Sequence, residues 1–194
     1  MNYSPDELYH HGVKGMKWGV RRYRNYDGTL TTAGRKQQAN YRHELQYRKT
    51  QPKVDRIFNS MSKEDRDKLT RYEKTYLGPE ESSKLMKRIL LNVGDTPVAF
   101  CDVLKYNDSI TYMSLGVHGD PKYRGQGYGK KAAKQAIRWV DKHKDDIPGD
   151  VWWGARSDNE ASIHIAESLG LEKSDRTQTD KYGKTWVRYI KKKG

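Results

Sequence analysis

Pro121-Lys122-Tyr123-Arg124-Gly125-Gln126-Gly127-Tyr128-Gly129-Lys130 sets glycines at three alternate positions immediately before an amphipathic run. From Gly127 to His143, Ala132, Ala133, Ala136, Ile137 and Val140 share one helical stripe, with Lys131, Lys134, Gln135, Arg138 and Lys142 mostly outside it. Upstream, Ser109 to Val117 reads as a strand, so the stretch predicts a strand, a glycine turn and a helix. Such glycines let the backbone pass close to a ligand. Successive N–H groups at the helix start, backed by the positive end of its dipole, suit a pyrophosphate. The turn lacks the Lys-Ser/Thr pair of a P-loop and the G-x-G-x-x-G spacing of a dinucleotide fold, which excludes both common nucleotide readings.

Toward the N-terminus, Val54, Ile57, Phe58 and Met61 recur at helical spacing, and Ser62-Lys63-Glu64-Asp65 opens a second helix through Leu69 and Tyr72. Residues 87–93 and 97–104 flank the turn Gly94-Asp95-Thr96 as a hairpin. Toward the C-terminus, Asp150 to Ala155 reads as a strand, Asn159 to Leu169 as a helix ended by Gly170, and Leu171 and Trp186 to Ile190 as final strands. The order αα, βββ, α, β, α, ββ predicts an α/β domain over residues 51–194, a mixed central sheet flanked by helices.

Within this frame Arg124-Gly125-Gln126-Gly127-Tyr128-Gly129 fits R-x-x-G-x-G and resembles the coenzyme A pyrophosphate motif of the GNAT superfamily of N-acetyltransferases. Asn159-Glu160-Ala161-Ser162-Ile163-His164-Ile165-Ala166-Glu167-Ser168-Leu169-Gly170-Leu171 resembles the fourth-helix signature of that family, N-x-x-A/S closing with L-G-F/L. The resemblance covers residues 54–191 and implies a GNAT-like fold that moves an acetyl group from acetyl-coenzyme A to an amine, without a metal. It implies that main-chain amides of Arg124, Gly125, Gln126, Gly127, Tyr128, Gly129 and Lys130 receive the pyrophosphate. Leu115, Gly116 and Val117 would run beside the pantetheine arm, and Asn159 and Ser162 would face its thioester end.

The reaction needs a neutral amine, a polarised thioester carbonyl and a proton for the departing thiolate. Many family members supply that proton from a tyrosine seven residues after the helix-opening Asn, where this chain has Ala166. Ser162, Tyr112, Tyr128 or water stand in its place, and the catalytic candidates are Ser162, Asn159 and Tyr128. No general base is assigned; Asp102 and Asp108 are candidates for holding a cationic acceptor. Trp152 and Trp153 point to opposite faces of one strand, so one belongs to the core and the other is a candidate cleft wall.

Residues 1–50 form a basic arm, with ten Lys/Arg against four Asp/Glu, glycines every few positions and no sustained period. Asp27-Gly28 marks a turn, and Thr31-Thr32-Ala33-Gly34 begins a helix through Tyr41, Leu45 and Tyr47, giving a non-globular or partly helical arm. The first 36 residues resemble a segment of head and virion-associated proteins of tailed phages of Gram-positive bacteria, carrying HHGVKGMKWGVRR, a DG turn and LTxAG in that order. The resemblance implies a phage-encoded protein whose residues 9–24 dock on a head or virion component, with Tyr9, Trp18, Arg21, Arg22 and Tyr23 as anchors. His10-His11 lacks further ligands at a metal-binding spacing.

Over the whole 194 residues, 38 Lys+Arg exceed 25 Asp+Glu and the net charge is +13. A basic surface attracts nucleic acid, acidic protein or polyphosphate, but no nucleic-acid reader motif or stacking array accompanies it. The Lys191-Lys192-Lys193 run reads as a solvated tail. Cys101 is the sole cysteine, which excludes an intramolecular disulfide. No apolar stretch is long enough to cross a bilayer, and Met1 to Gly15 lacks the pattern of a secretory leader. The expected location is a cytoplasm, the host's if phage-encoded, with virion association as an extension. Two functions follow: an N-acetyltransferase for an unidentified amine, or a virion-associated binding protein using the same domain without turnover.

Overall fold

The computed structural model describes residues 23–25, 27–72, 83–106 and 108–193. His10-His11 and most of the expected docking segment lie outside the described residues. The chain divides into two units, Met1–Arg48 and Lys49–Gly194.

In the first unit Arg24 and Leu30 bridge across a tight turn in which the Asp27 carboxylate accepts hydrogen bonds from the Thr29 amide at 2.9 Å and the Thr29 hydroxyl at 2.7 Å. Thr31 Oγ1 then accepts from the Gly34 amide at 3.0 Å and caps helix α1 (Thr32–Ser60). The sequence predicts two separate helical stretches here, one through Tyr47 and one from Val54. They form one helix instead, with Pro52 inside it. Pro52 withholds a single helical hydrogen bond, while the straight-chain residues Arg48, Lys49 and Gln51 before it and Lys53 and Arg56 after it favour helix on both sides.

The second unit holds helix α2 (Lys63–Tyr72), strands β1 (Lys84–Val93), β2 (Thr96–Lys105) and β3 (Ile110–Val117), helix α3 (Tyr128–Lys142), strand β4 (Asp150–Arg156), helix α4 (Glu160–Ser168), and strands β5 (Glu172–Thr179) and β6 (Thr185–Lys191). They build one six-stranded sheet in the order β1-β2-β3-β4-β6-β5, antiparallel except for the parallel pair β3–β4. The mixed α/β architecture with flanking helices is the predicted one. The first of the two expected final strands, read at Leu171, is the edge strand β5, which runs from Glu172 to Thr179, polar throughout and mostly exposed.

Alternation along β2 divides the core. Ala99, Cys101 and Val103 join Ala132, Ala133, Ala136, Ile137 and Val140 of α3 in the main cluster. Phe100 faces the other way, into Val54, Ile57 and Met61, with its ring 5.6 Å from that of Phe58. Asp102 lies on the Phe100 side, where Arg88 grips it through Nε at 2.8 Å and Nη2 at 2.5 Å while donating to Gln51 Oε1 at 2.9 Å. Among the described residues no helix is long and apolar enough to cross a membrane.

Candidate active site

The parallel rungs between β3 and β4 run only from Ile110–Asp150 to Met113–Trp153. Ser114 to Val117 and Gly154 to Arg156 follow without a mutual rung, and both stretches line a cleft of about 550 Å³. Main-chain groups of β3 that would have faced β4 are therefore left to whatever enters the cleft. Leu115, Gly116 and Val117 are among the lining residues.

The glycine turn closes one end. Gly125 and Gly127 have φ of +73° and +75°, a left-handed backbone that only glycine takes without strain. Gly127 is the N-cap of α3 and brings no side-chain cap, and the first turn has no acidic residue. The opening amides of α3 thus keep no helical carbonyl or capping side chain as partner. Arg124, Gly125, Gly127, Tyr128, Gly129 and Lys130 line the cleft; Gln126 does not.

Helix α4 closes another side. Asn159 Oδ1 accepts from the Ser162 amide at 3.3 Å, the N-cap bond. Ser162 Oγ accepts from Trp153 Nε1 at 3.0 Å, and Asn159, Ser162 and Trp153 all line the cleft. Trp153 is 2% exposed and belongs to the core. Trp152 faces away and is covered by the Arg188 guanidinium, 3.8 Å from its ring centre, so it is not a cleft wall. Ala166 is fully buried in the core and does not line the cleft, whereas Tyr112, Tyr123 and Tyr128 do.

Neither acidic candidate for holding an acceptor reaches this place. Asp102 is buried beneath α1 in its pair with Arg88, and burial pushes its carboxyl up despite that pairing. Asp108 is 95% exposed and paired with Lys105. Among the described residues Asp65 of α2 is the carboxylate that lines the cleft, and the sequence reading missed its role. Its partner Arg124, 2.5 Å away, is 59 residues further on. Arg156, 5% exposed, likewise holds Asp158 by two bonds of 2.6 Å and reaches Glu64 of α2 at 3.0 Å. Two ion pairs thus fasten α2 across the cleft, one to the glycine turn and one to β4. The available signal was charge at the capped start of α2, without any hint of its distant partners.

These pairs set an acid limit on the cleft. Burial works to raise the Asp65 carboxyl, but hydrogen bonds from Arg124, Ser62 and Lys68 outweigh it and hold it below the ordinary range. The Arg156 hydrogen bond does the same to Glu64 and, against slight burial, to Asp158. Carboxylates lowered in the folded state contribute stability above their unfolded values, about pH 4, and lose it as pH falls through the lower folded values. Melting temperature is therefore expected to fall more steeply below about pH 4 in the natural protein than in an Asp65→Asn variant. Parallel curves would show that the Asp65–Arg124 pair contributes nothing.

Residues 53–171 match the acetyltransferase (GNAT) family, and residues 1–25 match a family of unknown function (DUF7211). No curated protein matches the chain. Among solved structures, a ribosomal-protein-alanine N-acetyltransferase from Brucella melitensis is similar at 18% identity and a TM-score of 0.46, over 54% of this chain and 67% of that one. A Salmonella typhimurium protein solved with acetyl-CoA matches at 18% identity and a TM-score of 0.46, over 55% of this chain and 64% of the other. A spermidine N-acetyltransferase variant from Vibrio cholerae gives 9% identity and a TM-score of 0.47, over 68% of this chain and 76% of the other. Among the described residues no group of three or more His, Cys, Asp or Glu is placed to hold a metal ion.

Proposed function

The chain belongs to the acetyltransferase (GNAT) family, and on that premise we propose that it transfers the acetyl group of acetyl-coenzyme A to the nitrogen of an amine. The observation that carries this reading is a single cleft onto which the uncapped glycine turn, the unpaired end of β3 and Ser162 all open. Amides of the turn, with Arg124 and Lys130 beside them, suit a pyrophosphate. A volume of about 550 Å³ is ordinary for a ligand of cofactor size. Leu115, Gly116 and Val117 would hold the pantetheine arm through main-chain hydrogen bonds.

Asn159 fixes the first turn of α4 and so the place of Ser162. The Ser162 hydroxyl would donate to the thioester sulfur as negative charge gathers there, with Tyr128 and Tyr112 as further donors along the same cleft. Asp65 is held in ion pairs, and no other carboxylate lines the cleft among the described residues. Attack therefore falls to the neutral fraction of the amine. Turnover of acetyl-coenzyme A against a panel of amines and peptides tests the reading. Ser162→Ala is expected to lower kcat about tenfold while the KM for acetyl-coenzyme A stays within about twofold. A fall in binding with kcat unchanged would remove Ser162 from the chemistry.

A second reading, coenzyme A binding without turnover, is favoured by Ala166, since that buried position brings no hydroxyl to the cleft. Tight coenzyme A binding with no turnover across the panel would decide for it.

We also propose that the arm separates from the enzyme domain. Arg88 bonds Gln51 and Thr50, so the cut belongs just before them. A chain beginning at Lys49 is expected to fold and keep its donor affinity. Insolubility of that chain, with the full chain compact, would place the arm within the fold. Docking of residues 9–24 on a virion or head component of a phage is proposed on their aromatic and basic content. Retention that resists salt and is lost in Trp18→Ala supports it; purely salt-dependent retention indicates nucleic acid instead.

A further inference from the structure

A serine hydroxyl offers one proton and two lone pairs, and in a helix that proton ordinarily returns to the carbonyl of the preceding turn. Ser162 departs from this. The single hydrogen bond that its hydroxyl makes to protein, among the described residues, is the one it accepts from Trp153 at 3.0 Å. An indole N–H can only donate. At 2% exposure the ring has no water to turn to, so breaking the bond would strand a buried donor. The roles are thus fixed: the lone pair is taken from the core side, and the proton is left for the cleft that both residues line. Accepting one hydrogen bond also strengthens the one given.

We infer that Trp153 is a positioning residue which aims the Ser162 proton at the thioester sulfur, an inference that rests on the donor site proposed above. In the reaction the amine nitrogen bonds to the acetyl carbon, the carbon–sulfur bond breaks, and its electron pair leaves on sulfur. The surplus amine proton goes to water. A thiol is a stronger acid than an aliphatic hydroxyl, so Ser162 keeps its proton and stabilises the thiolate by donating to it. Protonation of the thiolate then comes from solvent.

The probe is coenzyme A itself, whose bound thiol is titrated by the ultraviolet absorbance of its thiolate, a readout that needs no acceptor. Relative to the natural protein, Ser162→Ala and Trp153→Phe are each expected to raise the bound thiol's pKa by about one unit. The double variant is expected to go no higher than Ser162→Ala, and Ser162→Thr to retain the natural value. Where Trp153→Phe fails to fold, benzothienylalanine at position 153 preserves the ring shape and removes only the N–H. An unshifted thiol in that protein, with Ser162→Ala shifted, overturns the role of Trp153 and leaves Ser162 standing. Coenzyme A bound with no shift in any variant overturns the placement of Ser162 at sulfur while the donor site survives. Failure of the natural protein to bind coenzyme A overturns the donor site, and this inference with it.

Discussion

Gly127→Glu is expected to weaken coenzyme A binding at least about a hundredfold, because it sets a carboxylate beside the amides meant for a pyrophosphate and like charges at such range cost several kcal/mol. A Cβ at this position meets no atom within 4 Å, so the substitution does not collide with the protein. Its structural cost comes from φ of +75°, which a residue other than glycine takes at about 1–2 kcal/mol. The variant should therefore remain folded and lose its ligand. Calorimetric titration with coenzyme A is the measurement, with Gly127→Asn as the uncharged control that tolerates the same backbone. Undiminished affinity in folded Gly127→Glu would locate the donor site elsewhere.

The largest expected loss of stability comes from Gly119→Ala, at about 3 kcal/mol. A Cβ there would stand 1.9 Å from the Ser60 carbonyl oxygen and 2.9 Å from Met61 Cα, atoms of the backbone that cannot swing aside. The Gly119 amide also donates to Ser60 Oγ at 2.9 Å. Adding one methyl group thus forces the end of α1 away from the segment that follows β3. Met61, which lines the cleft and packs beside Phe100, moves with it. Ser60→Ala removes the bond accepted from Gly119 and the one donated to the Ile57 carbonyl at 2.6 Å, with no clash, and should cost about 1–2 kcal/mol. Urea unfolding of both variants checks the ranking, and equal losses would show that the close approach is not what holds the two segments.

Local pattern carried much of the architecture. The alanine stripe of α3, the turn Gly94-Asp95 and the cap Asn159 act within a few residues of themselves, so their strands and helices were legible. Of strand β5 only the start beside Leu171 was legible, because Lys173, Asp175 and Arg176 alternate nothing apolar and the strand extends by pairing with β6. The union of two helical stretches across Pro52 was hidden for the opposite reason: a breaker residue was outweighed by its neighbours. At the site, the glycine turn and Ser162 were legible as motif positions. The Trp153 bond to Ser162, the Arg124 bond to Asp65 and the burial of Asp102 by Arg88 were not, since each joins residues on different elements. Asp102 looked like a free acid in a strand only because its partner lies on a neighbouring strand.

The short seam between β3 and β4 has a further meaning for how the molecule breathes. Four rungs join a half made of β1, β2, β3 and α3 to a half made of β4, α4, β5 and β6. Every other junction in the sheet is antiparallel, and parallel pairing is the weaker kind. Opening along this line sacrifices few backbone hydrogen bonds and leaves both halves paired within themselves, so what joins them is chiefly the apolar cluster that holds Ala99 and Ala136 together with Val151, Trp153 and Val187. Amides of the seam should exchange with deuterium at lower free energy than those of the β2–β3 or β4–β6 ladders. A ligand spanning the cleft from Val117 to Asn159 would bridge the two halves of the sheet and slow that exchange. The parallel junction of the sheet opens directly onto the candidate binding site.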